Sequence, residues 1–287
     1  FTAVQISPMQ APNVAGQPWH YTYGPCDYRF YDSVLGSRAD LTELCEKAAS
    51  YGIKIVMDVA ANHMIHDGED PWRAPGQTTD PWWREEGRAI MDQGDVKWDS
   101  RWSFTHQNIF GFEVVTSRED VQQRMREYLA DLRSMGVAGI RWDSAKHIAV
   151  PSEGDNFWPA VLDGSGLWHY AEILYGIDYA DKLIKEYGDL LSMTDVGFDG
   201  KSPENPYHAY NIPRQRCVFW AESHHTFSND QTGSQRISQN DIDRRWALVA
   251  SRKGASALYF SRPGLLPKDD IKLAVKGSTH FTAPEVR

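Results

Sequence analysis

Apolar positions along the chain fall into alternating short and long blocks. Ile53 to Ala60 is a nearly continuous apolar run, the pattern of a strand buried on both faces. Thr2 to Ile6 alternates and then meets Pro8, which predicts another strand. Val137 to Trp142, Trp168 to Ile173, Leu190 to Val196, Cys217 to Ala221 and Ala257 to Ser261 read as further strands. Between them Leu41, Leu44, Cys45, Ala48 and Ala49 recur at helical spacing before a stop at Gly52. Val121, Met125, Tyr128, Leu129 and Leu132 share one face of a helix over 118–135, closed by Gly136. Residues 178–187 and 240–253 predict two more helices. Strand and helix alternate throughout, which calls for a parallel α/β fold.

Two stretches leave that rhythm. Residues 8–35 are rich in Pro, Gly and Tyr and read as a long loop. Residues 64–116 are polar, Trp-rich and weakly periodic, too long for a plain loop, and predict a small inserted domain. The chain then divides into 1–63, an insertion at 64–116, and 117–287.

Composition narrows the function. The 287 residues carry Lys+Arg 30 against Asp+Glu 39, a net charge of −9, with no basic tract to neutralise phosphates, so nucleic acid is not an expected partner. No apolar run approaches the roughly 18 residues of a membrane span. Cys26, Cys45 and Cys217 are far apart and form no CxxC, against a thiolate metal cluster or a disulfide framework. Eleven Trp and thirteen Tyr often sit beside polar residues, as in Trp19-His20-Tyr21 and Trp82-Trp83-Arg84. Such rings either are buried with satisfied polar tips or offer faces on which sugars stack.

Four segments put polar residues at the ends of predicted strands, where a parallel barrel collects its active site. Asp58-Val59-Ala60-Ala61-Asn62-His63 closes one strand. Its competing reading is a structural loop cap. Gly139-Ile140-Arg141-Trp142-Asp143-Ser144-Ala145-Lys146-His147 closes the next. Arg141 and Asp143 lie two apart on a strand and face the same way, so the guanidinium keeps the carboxylate ionised, either as a nucleophile or as a plain ion pair. Glu172 stands in the apolar strand Trp168 to Ile173, where partial burial favours the protonated form that a general acid needs. Phe219-Trp220-Ala221-Glu222-Ser223-His224-His225-Thr226 is the fourth segment. Its histidines suit metal binding or loop hydrogen bonding equally.

In this order and spacing the four segments resemble the signature regions of the α-amylase family of glycoside hydrolases. Trp19-His20-Tyr21-Thr22-Tyr23-Gly24-Pro25 resembles that family's stretch after the second strand. The resemblance implies a (β/α)₈ TIM-type barrel, incomplete here, with a small B domain after the third strand. It implies retaining hydrolysis of α-1,4-glucosidic bonds in starch or maltooligosaccharides. Asp143 would be the nucleophile and Glu172 the general acid/base, about 5–5.5 Å apart in retaining enzymes. Tyr23 would stack on the sugar at the cleavage point, and Asp58, His63 and His224 would bind its hydroxyls. Lys146 and His147 would face the leaving-group side. A structural Ca²⁺ is implied too, held by Asn62, the backbone carbonyl of His147 and a B-domain carboxylate. Glu113 in Gly111-Phe112-Glu113-Val114 is the candidate for that carboxylate, where the family usually has Asp. Secretion is the expected localisation for an enzyme with a polymeric substrate.

One departure matters most. The family's fourth region reads His-Asp, and that Asp is the third catalytic carboxylate. Here the position is His225. Loss of one stabilising group at the transition state is expected to cost on the order of 3 kcal/mol, at least about 100-fold in rate. Neither Asp195 nor Asp230 has a spacing that substitutes. Two alternatives therefore accompany the hydrolase reading: a catalytically inactive glucan-binding homologue, and a transglycosylase of the same family. The chain is also expected to be a fragment, lacking the first barrel strand and the C-terminal β-domain of the family.

Overall fold

A computed structural model of the chain describes residues 1–66, 77–85, 89–173, 181–194, 212–251, 254 and 256–262. Two compact units share them, one formed by Phe1–Glu172 and one beginning at Ile173.

The first unit opens with β1 (Ala3–Ile6), followed by the loop predicted for 8–35. That loop is far from loose. Met9, Gln10, Ala11, Cys26, Asp27 and Tyr28 are all buried, and Gln10 donates to the carbonyl of Ala60 at 2.9 Å. Helix α1 (Arg38–Ser50) starts at a capping box in which Ser37 and Asp40 satisfy each other's backbone N–H. Strand β2 (Lys54–Ala60) is buried from Ile55 onward, as its continuous apolar run requires.

The stretch from His63 to Val114 carries β3 (His63–Met64), β4 (Ile90–Met91), α2 (Arg101–His106) and β5 (Phe112–Val114). The three strands form a separate antiparallel sheet in the order β3–β5–β4, with His63 opposite Glu113. Gly111 lets the two chains meet, since a Cβ there would lie 2.0 Å from the Met64 carbonyl oxygen. Helix α3 (Glu119–Ser134) buries the five apolar positions on its predicted face and has Glu119 and Asp120 in its first turn, where the helix dipole favours negative charge. Strand β6 (Gly139–Asp143), helix α4 (Phe157–Leu162) and strand β7 (Trp168–Ala171) complete the unit. Strands β1, β2, β6 and β7 pair in that order, all parallel.

The second unit holds α5 (Asp181–Leu190), β8 (Ser192–Thr194), β9 (Cys217–Trp220), α6 (His224–Ser228), α7 (Gln239–Ala250) and β10 (Ser256–Leu258). Its three strands are again parallel, with β9 paired to both neighbours. Buried Glu222 receives both Arg262 Nε and Nη2, at 2.6 and 2.7 Å, along with the Ser234 hydroxyl. Each unit thus repeats parallel strands with intervening helices, the plan of an incomplete (β/α)₈ barrel. The seven predicted barrel strands all form. Of the strand predicted at Leu190 to Val196, residues 195 and 196 lie outside the described residues. Among the described residues no helix is long and apolar enough to cross a membrane. All three cysteines are buried and free.

One buried carboxylate ties the first unit together. Asp27 is fully buried and accepts from Arg124 Nε at 2.6 Å, Arg124 Nη2 at 2.5 Å and Trp83 Nε1 at 2.9 Å. It joins the 8–35 loop, the insertion and α3 at one point. Removing one partner of such a pair strands the other charge, at a cost of about 3–5 kcal/mol. Asp27→Ala is therefore expected to lower the urea midpoint by that equivalent. A midpoint close to wild type would show that the tie is dispensable.

Candidate active site

The parallel register of β2 and β6 sets Asp58 opposite Arg141 and Ala60 opposite Asp143. Alternation along β6 then turns Arg141 and Asp143 to one side. Glu172 lies one residue beyond the end of β7, which corrects its expected place inside the strand. Its N–H still donates to the Trp142 carbonyl at 2.9 Å, so the ladder runs one bond past the strand and holds the residue at its mouth.

These three acids converge on one guanidinium. Arg141 Nη1 reaches Asp143 Oδ1 at 2.6 Å and Asp58 Oδ1 at 3.0 Å, while Nη2 reaches Glu172 Oε2 at 3.0 Å. Further donors fix each acid. Tyr23 Oη donates to Asp58 Oδ2 at 2.7 Å, and Gln5 Nε2 to the same oxygen at 3.1 Å. Gln5 is itself held by the Tyr170 hydroxyl. The Ser144 N–H donates to Glu172 Oε2 at 3.1 Å, and its hydroxyl to Asp143 Oδ2 at 3.0 Å. Ser144 does this from a left-handed backbone, φ 50°, a conformation rare for a residue with a side chain. Gln5 and Ser144 were not candidates from the sequence. Ser144 stood within the second motif, beside the nucleophile candidate, but only its backbone angle marks it out.

Burial decides the electrostatics. It pushes the Asp58 carboxyl up to about 6, and the nearby Asp143 adds to that, against the pull of Arg141. Arg141 loses solvation too, yet Asp58, Glu172 and Asp143 hold its pKa well above the ordinary value. Tyr23 is raised well above its usual range by burial and then by Asp58, so its hydroxyl keeps its proton and donates.

Three cationic or imidazole side chains surround the cluster in the same unit. His63 Nε2 donates to the Tyr23 carbonyl at 2.8 Å, which leaves Nδ1 as a buried acceptor with no partner among the described residues. Burial lowers the pKa of His63, favouring that neutral form. Lys146 is lowered by burial and drawn back up by Glu172 and Asp143. His147 is driven well below its usual value by burial and by Lys146, and its Nδ1 donates to the Phe104 carbonyl at 2.8 Å. In the second unit, His224 and His225 open α6, with Ser223 as the capping residue, and both are half-buried. Asp230 accepts from the Gln235 N–H at 3.0 Å, a turn role, and Asp195 lies outside the described residues.

The family model for the α-amylase catalytic domain matches residues 1–170, more than half of the chain. The chain belongs to the α-amylase family. An α-amylase of Clostridium acetobutylicum is 30% identical over 289 residues, covering 92% of this chain and 37% of the relative. One from Butyrivibrio fibrisolvens is 24% identical, covering 100% of this chain and 35% of the relative. The chain thus spans about a third of the length of these curated relatives. Among solved structures, α-amylase I from Eisenia fetida superposes with a TM-score of 0.68 at 16% identity, over 93% of this chain and 63% of that one. A cyclomaltodextrin glucanotransferase gives 0.69 at 17% identity, over 92% and 60%. At these identities the solved structures bear on fold alone, and they agree on the barrel plan.

The α-amylase family's calcium can be tested against the donors present. Asn62 Nδ2 donates to Glu113 Oε2 at 3.1 Å, and Asn62 Oδ1 is buried with no partner among the described residues. Burial raises the Glu113 carboxyl well above the carboxylate range, relieved only by that one hydrogen bond from Asn62. An unpartnered amide oxygen beside a buried carboxylate without a cation fits a hard, oxygen-seeking ion. Among the described residues no group of three or more His, Cys, Asp or Glu could hold a metal, so any such site would lean on amide and backbone oxygens.

A carboxyl raised in the folded state binds its proton more tightly than in the unfolded chain. For Asp58, that contribution to stability is complete below the ordinary 3.8 and is lost as pH rises through about 6. The stability of wild type minus that of Asp58→Asn should therefore fall by about 2 kcal/mol from about pH 4 to about pH 7. Paired urea titrations across that range measure it. A flat difference would mean that Asp58 is ionised at ordinary acid pH.

Proposed function

We propose that this chain carries the catalytic centre of a retaining α-glucan hydrolase acting on α-1,4 bonds of starch or maltooligosaccharides. The observation that carries the reading is the single buried guanidinium joined to three carboxylates at the ends of adjacent parallel strands. Asp143, held in place by Arg141 and Ser144, attacks the anomeric carbon. Glu172 gives its proton to the leaving glucosidic oxygen. Since Oε2 accepts from Arg141 and Ser144, the proton travels on Oε1. A covalent glycosyl-enzyme results, and Glu172, now a carboxylate, takes a proton from the water that hydrolyses it. Tyr23 covers one face of the reacting sugar while Asp58 and His63 Nδ1 accept from its hydroxyls. His224 joins them in the family pattern, and Lys146 and His147 receive the leaving chain.

His225 favours a second reading, a glucan-binding homologue with little or no hydrolysis. A neutral imidazole can hold a hydroxyl, but a protonated one opposes the positive charge at the anomeric carbon. Acceptor choice, which separates hydrolase from transglycosylase, depends on loop shape rather than on this cluster. Residues 64–116 are the insertion that the family calls the B domain, and a polymeric substrate argues for a secreted protein.

Reducing-sugar release from soluble starch, with Asp143→Asn as the blank, tests the first reading. Activity above the blank is expected, with a rise of about 100-fold in His225→Asp. A folded protein with no release that still binds starch supports the second reading. No gain in His225→Asp would sink the assignment of His225 to the third carboxylate's position.

Calcium is the second part of the proposal. Asn62 Oδ1, the Glu113 carboxylate and the His147 carbonyl would hold it, and its charge would stabilise the ionised Glu113 and brace the insertion against β2. Thermal unfolding should then shift down on chelation and recover with Ca²⁺, and Glu113→Gln should abolish the response. An equal response in Glu113→Gln rules out this ligand set.

A further inference from the structure

Trp83, Trp142 and Trp158 are fully buried, whereas Trp98, Trp102 and Trp168 are 59%, 54% and 42% exposed. Of these exposed rings, Trp98 stands against His147. Its ring lies 6.1 Å from that of His147, at 86°, and 5.3 Å from Phe104, at 79°. Phe104 and His147 are themselves stacked at 4.9 Å. A second exposed ring, Phe110, stands 5.9 Å from His63. The two segments bearing these rings are tied by a parallel bridge between Asp95 and Asn108, with Val96 N donating to the Asn108 carbonyl at 2.9 Å. The Trp98 side is also anchored to the site itself. Arg101 Nη1 donates to the Lys146 carbonyl at 2.5 Å, and its Nε and Nη2 pair with Glu153 at 2.8 and 2.7 Å.

Exposing an indole to water forfeits its burial energy. Here that exposed ring stands nearly perpendicular to both neighbours, on a segment that Arg101 hydrogen-bonds to the Lys146 carbonyl. A flat apolar face fixed in this way suits the C–H face of a pyranose ring. We propose that Trp98 is a stacking platform for an α-glucan, taking a glucosyl unit on the leaving-group side of the cleavage point, with Phe110 as a second ring on the His63 side. The occupant follows from continuity with the proposed site, since each ring touches a histidine already assigned to substrate. The inference deepens the hydrolase reading and rests on it.

The test uses the full chain carrying Asp143→Asn, so that the ligand is not consumed, and titrates maltoheptaose and maltose by calorimetry. Adding Trp98→Ala should weaken maltoheptaose by about fivefold and leave maltose unchanged. Trp98→Phe should recover most of the loss. Unchanged maltose affinity in Trp98→Ala separates lost stacking from lost folding. Equal maltoheptaose affinity with and without Trp98 overturns the platform while the catalytic reading stands. No binding of either sugar by the parent protein overturns both together.

Discussion

The site depends on the burial of one guanidinium. Arg141 is the cation for Asp58, Asp143 and Glu172, and each lies within 3.0 Å of it. One positive charge facing three buried acids cannot neutralise them all. The structure answers with neutral donors, Tyr23, Gln5 and Ser144, and with Lys146 nearby. The remaining imbalance falls on Asp58, the most deeply buried of the three, whose carboxyl rises to about 6. An excess of negative potential at such a point suits a reaction that develops positive charge at a sugar carbon.

Strand pairing makes this geometry possible. A one-residue slip between β2 and β6 would turn Asp58 away from Arg141, because successive side chains face opposite ways. The apolar runs that bury both strands therefore also set the register of the chemistry. Core packing and site geometry are here one constraint, and Gln5, on β1, extends it by a third strand to Tyr170 on β7.

Much of this was legible in the residues. Apolar runs and alternation gave the seven strands, and the face of α3 emerged from five apolar positions. The spacing of Arg141 and Asp143 put them on one side of a strand without further information. What escaped depends on contacts distant in sequence. Asp27 meets Arg124 across 97 positions, and nothing local distinguishes it from any other loop acid. The small antiparallel sheet has strands of two or three residues, too short for periodicity to register. Glu172 was placed one residue too deep because Ile173 and Leu174 continue the apolar pattern past the point where the strand ends. The aromatic count was ambiguous between core and sugar platform: Trp83, Trp142 and Trp158 are buried in the core, whereas Trp98 is exposed.

The cost of the cluster bears on what it is for. Replacing a buried ion network by apolar residues of similar size is often neutral or stabilising, so such a network is poor as a device for holding a fold. At Asp58 burial opposes ionisation and pushes the carboxyl up to about 6. The first unit has a separate tie, Asp27 with Arg124, that joins loop, insertion and helix without drawing on the site. A chain already braced there gains little stability from gathering three acids around Arg141. The arrangement makes physical sense as a place where charge is needed.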